Sequence, residues 1–208
     1  TYLEQPVSIL HPSSQSAAVV NYIASFVNDA ENVLFSSYFT DESGGWQKYL
    51  DMNSFVDWYL INEIAKNSKG AFMTNCIMNY RRGGKLKMGP IWDFETAFGN
   101  AGKTSSNGFV IKDVRWYKRL FQDPVFVAKV KERFDYFFNH QEDIIKNINE
   151  SAQYLKYAIQ EDNTKWDTFL PYKSSGADTW ILYQGQVSSM KSWLTERMRW
   201  LKEQFDAM

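Results

Sequence analysis

A single segment with a β-hairpin pattern, surrounded by helical periodicity, limits the fold of this chain more than any other feature. Residues 75–80 and 85–92 are predicted strands, and Arg81-Arg82-Gly83-Gly84 between them is typical of a hairpin turn. Apolar residues elsewhere recur with helical spacing. We therefore predict an α+β fold that is predominantly α-helical and contains one small hairpin.

Capping and breaking residues place the helices. Ser54 and Asp57 form a predicted capping box at the start of the second helix, and Asp123-Pro124 marks the start of another. The predicted helices are 16–34, 54–67, 113–121, 125–140, 143–160 and a final helix from 178 or 179 to 205. Because no internal repeat or clear linker interrupts them, we expect residues 1–208 to form a single domain.

Composition excludes several classes of protein. The net charge of −1 argues against a general nucleic-acid binder, which needs a basic surface. The single cysteine, Cys76, excludes an intrachain disulfide, and no apolar run is long enough for a transmembrane helix. The 8 Trp, 12 Tyr and 15 Phe residues favour an aromatic core over a sugar-stacking surface.

Two carboxylates directly follow the predicted hairpin. The segment Gly89-Pro90-Ile91-Trp92-Asp93-Phe94-Glu95 takes Asp93 and Glu95 from an apolar run into a glycine-bearing loop. Carboxylates are ligands for Mg²⁺ or Mn²⁺, although the same spacing also occurs in solvated or capping pairs. Glu63 and Asn67 lie on the inner stripe of the second helix, where a carboxylate must be hydrogen-bonded. They could bond to a neighbouring backbone or support a site at the helix end.

The hairpin also contains a basic cluster: Arg81, Arg82, Lys85 and Lys87. A solvated hairpin is the interpretation that the sequence favours. The alternative is a docking patch for an acidic or phosphorylated partner.

Taken together, several of these segments resemble the CotH kinase family. They are residues 51–67, the hairpin, residues 89–100 with the sequence Gly-Pro-Ile-Trp-Asp-Phe-Glu-Thr-Ala-Phe-Gly-Asn, residues 116–124 and residues 193–201. The resemblance implies an atypical protein-kinase-like fold, of which this chain is similar to the C-terminal lobe. It also implies phosphoryl transfer from ATP to protein Ser or Thr, dependence on Mg²⁺ or Mn²⁺, and a location in spore coats or otherwise outside the cytoplasm.

The resemblance assigns roles to individual residues. Asp93 corresponds to the metal-binding Asp of the family, with Glu95 following it and Asn75 as a possible further ligand. Glu63 and Asn67 would support this site. Near Lys69 the family has the Asp that accepts the substrate proton, and an ammonium group cannot take that role without a large drop in its pKa.

The resemblance leaves three possible functions open. No Gly-rich loop or nucleotide-anchoring Lys stands upstream of Ser16, so we expect the N-terminal nucleotide-binding part to be absent from this chain. The chain could be a metal-dependent protein kinase, a pseudokinase that binds a partner or nucleotide, or a non-enzymatic surface or carbohydrate-associated module. The protein substrate or coat partner is not identifiable from the sequence.

Overall fold

The computed structural model describes Leu3 and residues 6–72, 76–100, 105–168 and 178–208. Its helices and strands are α1 (Ala17–Leu34), α2 (Met52–Ile64), β1 (Met78–Tyr80), β2 (Leu86–Met88), α3 (Arg115–Leu120), α4 (Pro124–Asn139), α5 (Gln141–Tyr154), α6 (Lys156–Trp166) and α7 (Thr179–Asp206). Short 3-10 helices occupy Trp46–Lys48 and Ser68–Gly70. This confirms the prediction of an α+β, predominantly helical fold.

The chain forms two compact units. The first unit contains Thr1–Glu63, Asn67–Phe94 and Phe109–Val130. The second unit contains Ile64–Lys66, Glu95–Gly108 and Lys131–Met208. Assignment to a single domain remains a prediction. Among the described residues, no helix is both long enough and apolar enough to cross a bilayer.

Aromatic side chains fill the core of the first unit. The ring of Tyr117 lies 5.4 Å from that of Tyr59 and stacks on Trp58 at 5.8 Å. The buried indole of Trp46 donates a hydrogen bond to Asp123 at 2.7 Å, so this core carboxylate has a polar partner. The predicted aromatic core is confirmed, and it accounts for several of the tryptophans that could have suggested a sugar-binding surface.

The second helix begins earlier than the sequence predicts. Its N-terminal cap is the Asp51 carboxylate, which accepts the Ser54 backbone N–H at 2.9 Å, so the predicted Ser54–Asp57 capping box is wrong. The helix ends before residue 67 because Lys66 adopts a left-handed conformation with φ 51. The N–H of Asn67 then bonds to the carbonyl of Asn62 at 2.8 Å, which closes the helix end.

The predicted hairpin is present, with shorter strands. β1 and β2 are antiparallel, with Met78 opposite Met88 and Tyr80 opposite Leu86. Leu86 also exchanges backbone hydrogen bonds with Tyr49 and Asp51, which fixes the hairpin against the start of α2. The ladder ends at Gly89, where φ is 122, and the following proline donates no hydrogen bond.

Helices dominate the second unit. α7 packs against both α5 and α6, and Asp178 caps its start by accepting the Trp180 N–H at 2.8 Å. The predicted helix 143–160 is two helices that divide at Leu155. Residues 101–104 of the predicted glycine-rich loop lie outside the described residues. The buried Arg197 guanidinium binds the carbonyls of Ser106 and Gly108, so this described part of the loop is held in place.

Candidate functional site at Asp93

Asp93 lies a short distance beyond β2, in the first unit. Its backbone has φ 60, a left-handed conformation that Asp tolerates better than most residues. Its side chain is 23% exposed, so the carboxylate is accessible to solvent. A half-buried carboxylate at a constrained turn can bind a ligand from solvent.

Asn67 fixes the main chain on both sides of the site. Its side chain is fully buried, and its Nδ2 donates to the carbonyl of Asp93 at 3.1 Å and to Asn62 Oδ1 at 3.0 Å. Its Oδ1 accepts the backbone N–H of Lys69 at 3.3 Å. One buried amide therefore contacts the main chain of both Asp93 and Lys69, and the supporting role of Asn67 remains a prediction.

Lys69 forms an ion pair with Asp93. Its Nζ lies 2.8 Å from Asp93 Oδ2, and the two side chains are 29% and 23% exposed. Lys69 lies in the 3-10 helix Ser68–Gly70. Because water reaches both groups, such a pair is worth at most about 1 kcal/mol, and either partner can exchange for another charged ligand.

Glu63 binds a backbone segment, and its predicted supporting role at Asp93 remains a prediction. Its side chain is fully buried, and its two carboxylate oxygens accept the backbone N–H groups of Val110, Ile111 and Lys112 at 2.8, 2.9 and 3.2 Å. These contacts match the alternative in which Glu63 bonds to a neighbouring backbone. The carboxylate thereby fixes the segment that precedes α3.

Two further residues, Glu95 and Asn75, are predicted metal ligands. Glu95 has an exposed side chain in the second unit, where its backbone carbonyl accepts a hydrogen bond from Asn100 at 2.7 Å. Asn75 lies outside the described residues. The assignment of these two residues as ligands remains a prediction.

Two further contributors to the site were not identified from the sequence. Lys69 stood out as a departure from the family pattern, without its pairing to Asp93, and Asn62 was not singled out. The sequence feature that could have indicated Asn62 is the glycine at position 70. A Cβ atom added to Gly70 would lie 2.6 Å from Asn62 Oδ1. Only glycine permits this close approach of the Ser68–Gly70 turn to α2.

The donors at Asp93 suit a metal that arrives with phosphate oxygens. Mg²⁺ commonly binds proteins through one or two carboxylates and takes its remaining ligands from phosphates and water. Asp93 supplies one carboxylate, and the described residues contain no group of three or more His, Cys, Asp or Glu that could hold an ion. Asp93 could therefore supply one ligand of a metal–phosphate complex.

Comparison with known proteins agrees with the order of these segments. The family model described as CotH kinase protein matches residues 11–201, which include α1, the hairpin, Asp93 and most of α7. Neither the curated proteins nor the solved structures give a match. The match extends over most of the chain, so the chain belongs to the CotH kinase protein family.

Proposed function

We propose that this chain is a CotH-type kinase domain that binds a complex of ATP with Mg²⁺ or Mn²⁺ at Asp93 and Lys69. The observation that supports the proposal is the 2.8 Å ion pair between these side chains at a solvent-accessible turn. A metal–ATP complex contains the same two charges. Its cation can replace the ammonium at Asp93, and its phosphate oxygens can replace the carboxylate at Lys69.

Each residue has a defined role in this proposal. Asp93 coordinates the metal, Lys69 binds a phosphate oxygen, and Asn67 holds both main-chain segments in position. When bound, the divalent ion would neutralise charge on the phosphates during transfer. The proposed reaction is phosphoryl transfer from ATP to Ser or Thr of a protein, and the proposed location is a spore coat or another surface outside the cytoplasm.

Isothermal titration calorimetry with ATP and Mn²⁺ tests the binding step. We expect Asp93→Asn to abolish the binding heat, because an amide is a much weaker metal ligand than a carboxylate. Asp113→Asn is the matched control, since Asp113 also pairs with a lysine at the surface, Lys112, at 3.2 Å. Equal binding by wild type and Asp93→Asn would contradict the proposal.

A pseudokinase is the second candidate, and the identity of Lys69 favours it. This residue stands near the position where the resemblance implies a carboxylate base, and its ammonium group forms an ion pair with Asp93. Incubation with γ-labelled ATP and a Ser-rich acceptor protein separates the two candidates. Label transfer that Asp93→Asn abolishes supports a kinase, whereas metal-dependent ATP binding without transfer supports a pseudokinase.

A further inference from the structure

Four exposed cations surround the turn of the β1–β2 hairpin: Arg81, Arg82, Lys85 and Lys87. They form a local concentration of positive charge in a chain whose net charge is −1. In the part of the chain that the structure describes, none of the four forms an ion pair with a carboxylate. Neighbouring like charges on a sheet are destabilising, so an anionic ligand would relieve repulsion here.

Polar groups at the turn add to this cluster. The guanidinium of Arg82 lies 4.9 Å from the ring centre of Tyr22, which orients it by a cation–π contact. The hydroxyl groups of Tyr22 and Tyr80 are 2.9 Å apart. The hydrogen bond with Tyr80, the Gly83 backbone and Arg82 lower the pKa of Tyr22, whereas desolvation and Tyr22 raise the pKa of Tyr80.

The hairpin also has one edge that no other strand of the described residues extends. Leu86 directs its backbone N–H and carbonyl away from β1, toward Tyr49 and Asp51. Its neighbour Tyr80 is therefore at a non-hydrogen-bonded position of the antiparallel pair, and the backbone groups of Tyr80 and Met78 face away from β2. Within the described residues the sheet contains β1 and β2 alone, so it ends at this edge.

We propose that the β1–β2 hairpin is a docking surface for an extended, phosphorylated segment of a partner protein. The peptide backbone would add as a strand along the outer edge of β1, and its phosphate group would bind the arginines and lysines at the turn. A nucleic acid or a lipid surface has no backbone that could pair with a strand edge. The small net charge also provides no broad basic face for such polyanions.

Fluorescence anisotropy with the full chain tests this surface. The probe is a short fluorescein-labelled peptide rich in Val and Thr with a central phosphoserine. We expect the combined variant Arg81→Ser, Arg82→Ser, Lys85→Ser and Lys87→Ser to bind it at least about tenfold more weakly. The matched control, Lys118→Ser, Lys146→Ser, Lys165→Ser and Arg199→Ser, removes the same charge from other exposed positions and should change affinity less than about twofold.

Two altered probes test the two halves of the proposal. The unphosphorylated peptide should bind at least about tenfold more weakly, because charge-assisted hydrogen bonds to phosphate are lost. A phosphopeptide N-methylated at alternate residues should also bind more weakly, because it cannot pair with β1. Asp93→Asn should bind the phosphopeptide normally, so failure of this site and failure of the nucleotide site are distinguishable.

Three results would overturn the proposal. One is the absence of phosphopeptide binding by the wild-type chain. Another is equal weakening by the hairpin variant and its charge-matched control. The third is tighter binding of duplex DNA or of phosphatidylserine vesicles than of the phosphopeptide, which would assign the hairpin to a different class of partner.

Discussion

Glu63 and Asp93 are two carboxylates of the first unit that are held in opposite ways. Glu63 is fully buried, and three backbone N–H groups donate to it. Asp93 is 23% exposed on its side chain and faces the ammonium of Lys69. Backbone donors cannot leave without unfolding the segment that contains them, whereas a lysine side chain can rotate away. The comparison therefore separates a carboxylate that maintains the fold from one that can accept a new ligand.

The largest expected effect is on stability, at Glu63. Glu63→Ala should lower the free energy of unfolding by about 3–5 kcal/mol, because three N–H groups lose a charged acceptor. Urea unfolding followed by circular dichroism measures this change. Asp93→Asn is the comparison variant, because asparagine tolerates the left-handed backbone here, and it should cost no more than about 1 kcal/mol. Similar losses of unfolding free energy in the two variants would contradict the distinction between Glu63 and Asp93.

The second prediction concerns the alkylation rate of Cys76. Its Sγ lies 3.4 Å from the carbonyl of Gly70, the residue after Lys69. Burial raises the pKa of this thiol to about 11. At pH 8 its alkylation should be about 100-fold slower than that of an unperturbed thiol of pKa near 9, and the rate should rise with pH toward 11. Iodoacetamide labelling followed by mass spectrometry measures the rate. Reaction as fast as that of a model thiol would mean that the segment around Gly70 opens readily.

An intermediate effect on stability is expected at Asn67, which is buried like Glu63 but contacts the site at Asp93. Asn67→Ala should destabilise the fold by about 2 kcal/mol and also weaken Mn²⁺–ATP binding, because it removes the buried amide that holds Asp93 and Lys69. Asn147→Ala, at an exposed helical position, is the control. Loss of stability with unchanged nucleotide affinity would mean that Asn67 does not position the site.

The smallest effect on stability should follow Lys69→Met, within about 1 kcal/mol, because its ion pair is partly exposed. The same substitution should change the affinities for Mn²⁺ and for ATP in opposite directions. Mn²⁺ alone should bind more tightly, since the Lys69 ammonium no longer competes for Asp93, while ATP affinity should fall because a phosphate partner is lost. Calorimetry with each ligand measures both changes, and a parallel change in the two affinities would contradict the exchange of partners.

Local signals in the sequence predicted much of the fold. α1 and α7 begin within one residue of the predicted positions, and the Arg81–Gly84 turn produced the hairpin. The division between α5 and α6 at Leu155 was missed because no Gly or Pro marks it.

The site was less predictable because its contacts are distant in sequence. Asp93 was identified from its position after the hairpin, but its partner Lys69 is 24 residues away. Glu63 was recognised as a buried carboxylate that needs a partner, yet the first of its three donors is 47 residues away. Tertiary packing determines such long-range pairs, and they cannot be predicted from periodicity or capping residues, which are local features of the sequence.

The most direct test of the central distinction is thermal unfolding of three proteins with and without Mn²⁺–ATP. A ligand that binds only the folded state raises the melting temperature in proportion to its binding free energy. We predict a rise for wild type and a similar rise for Glu63→Gln from a lower starting temperature, with no rise for Asp93→Asn. A rise in Asp93→Asn equal to that of wild type would contradict the assignment of Asp93 as the ligand-exchanging carboxylate.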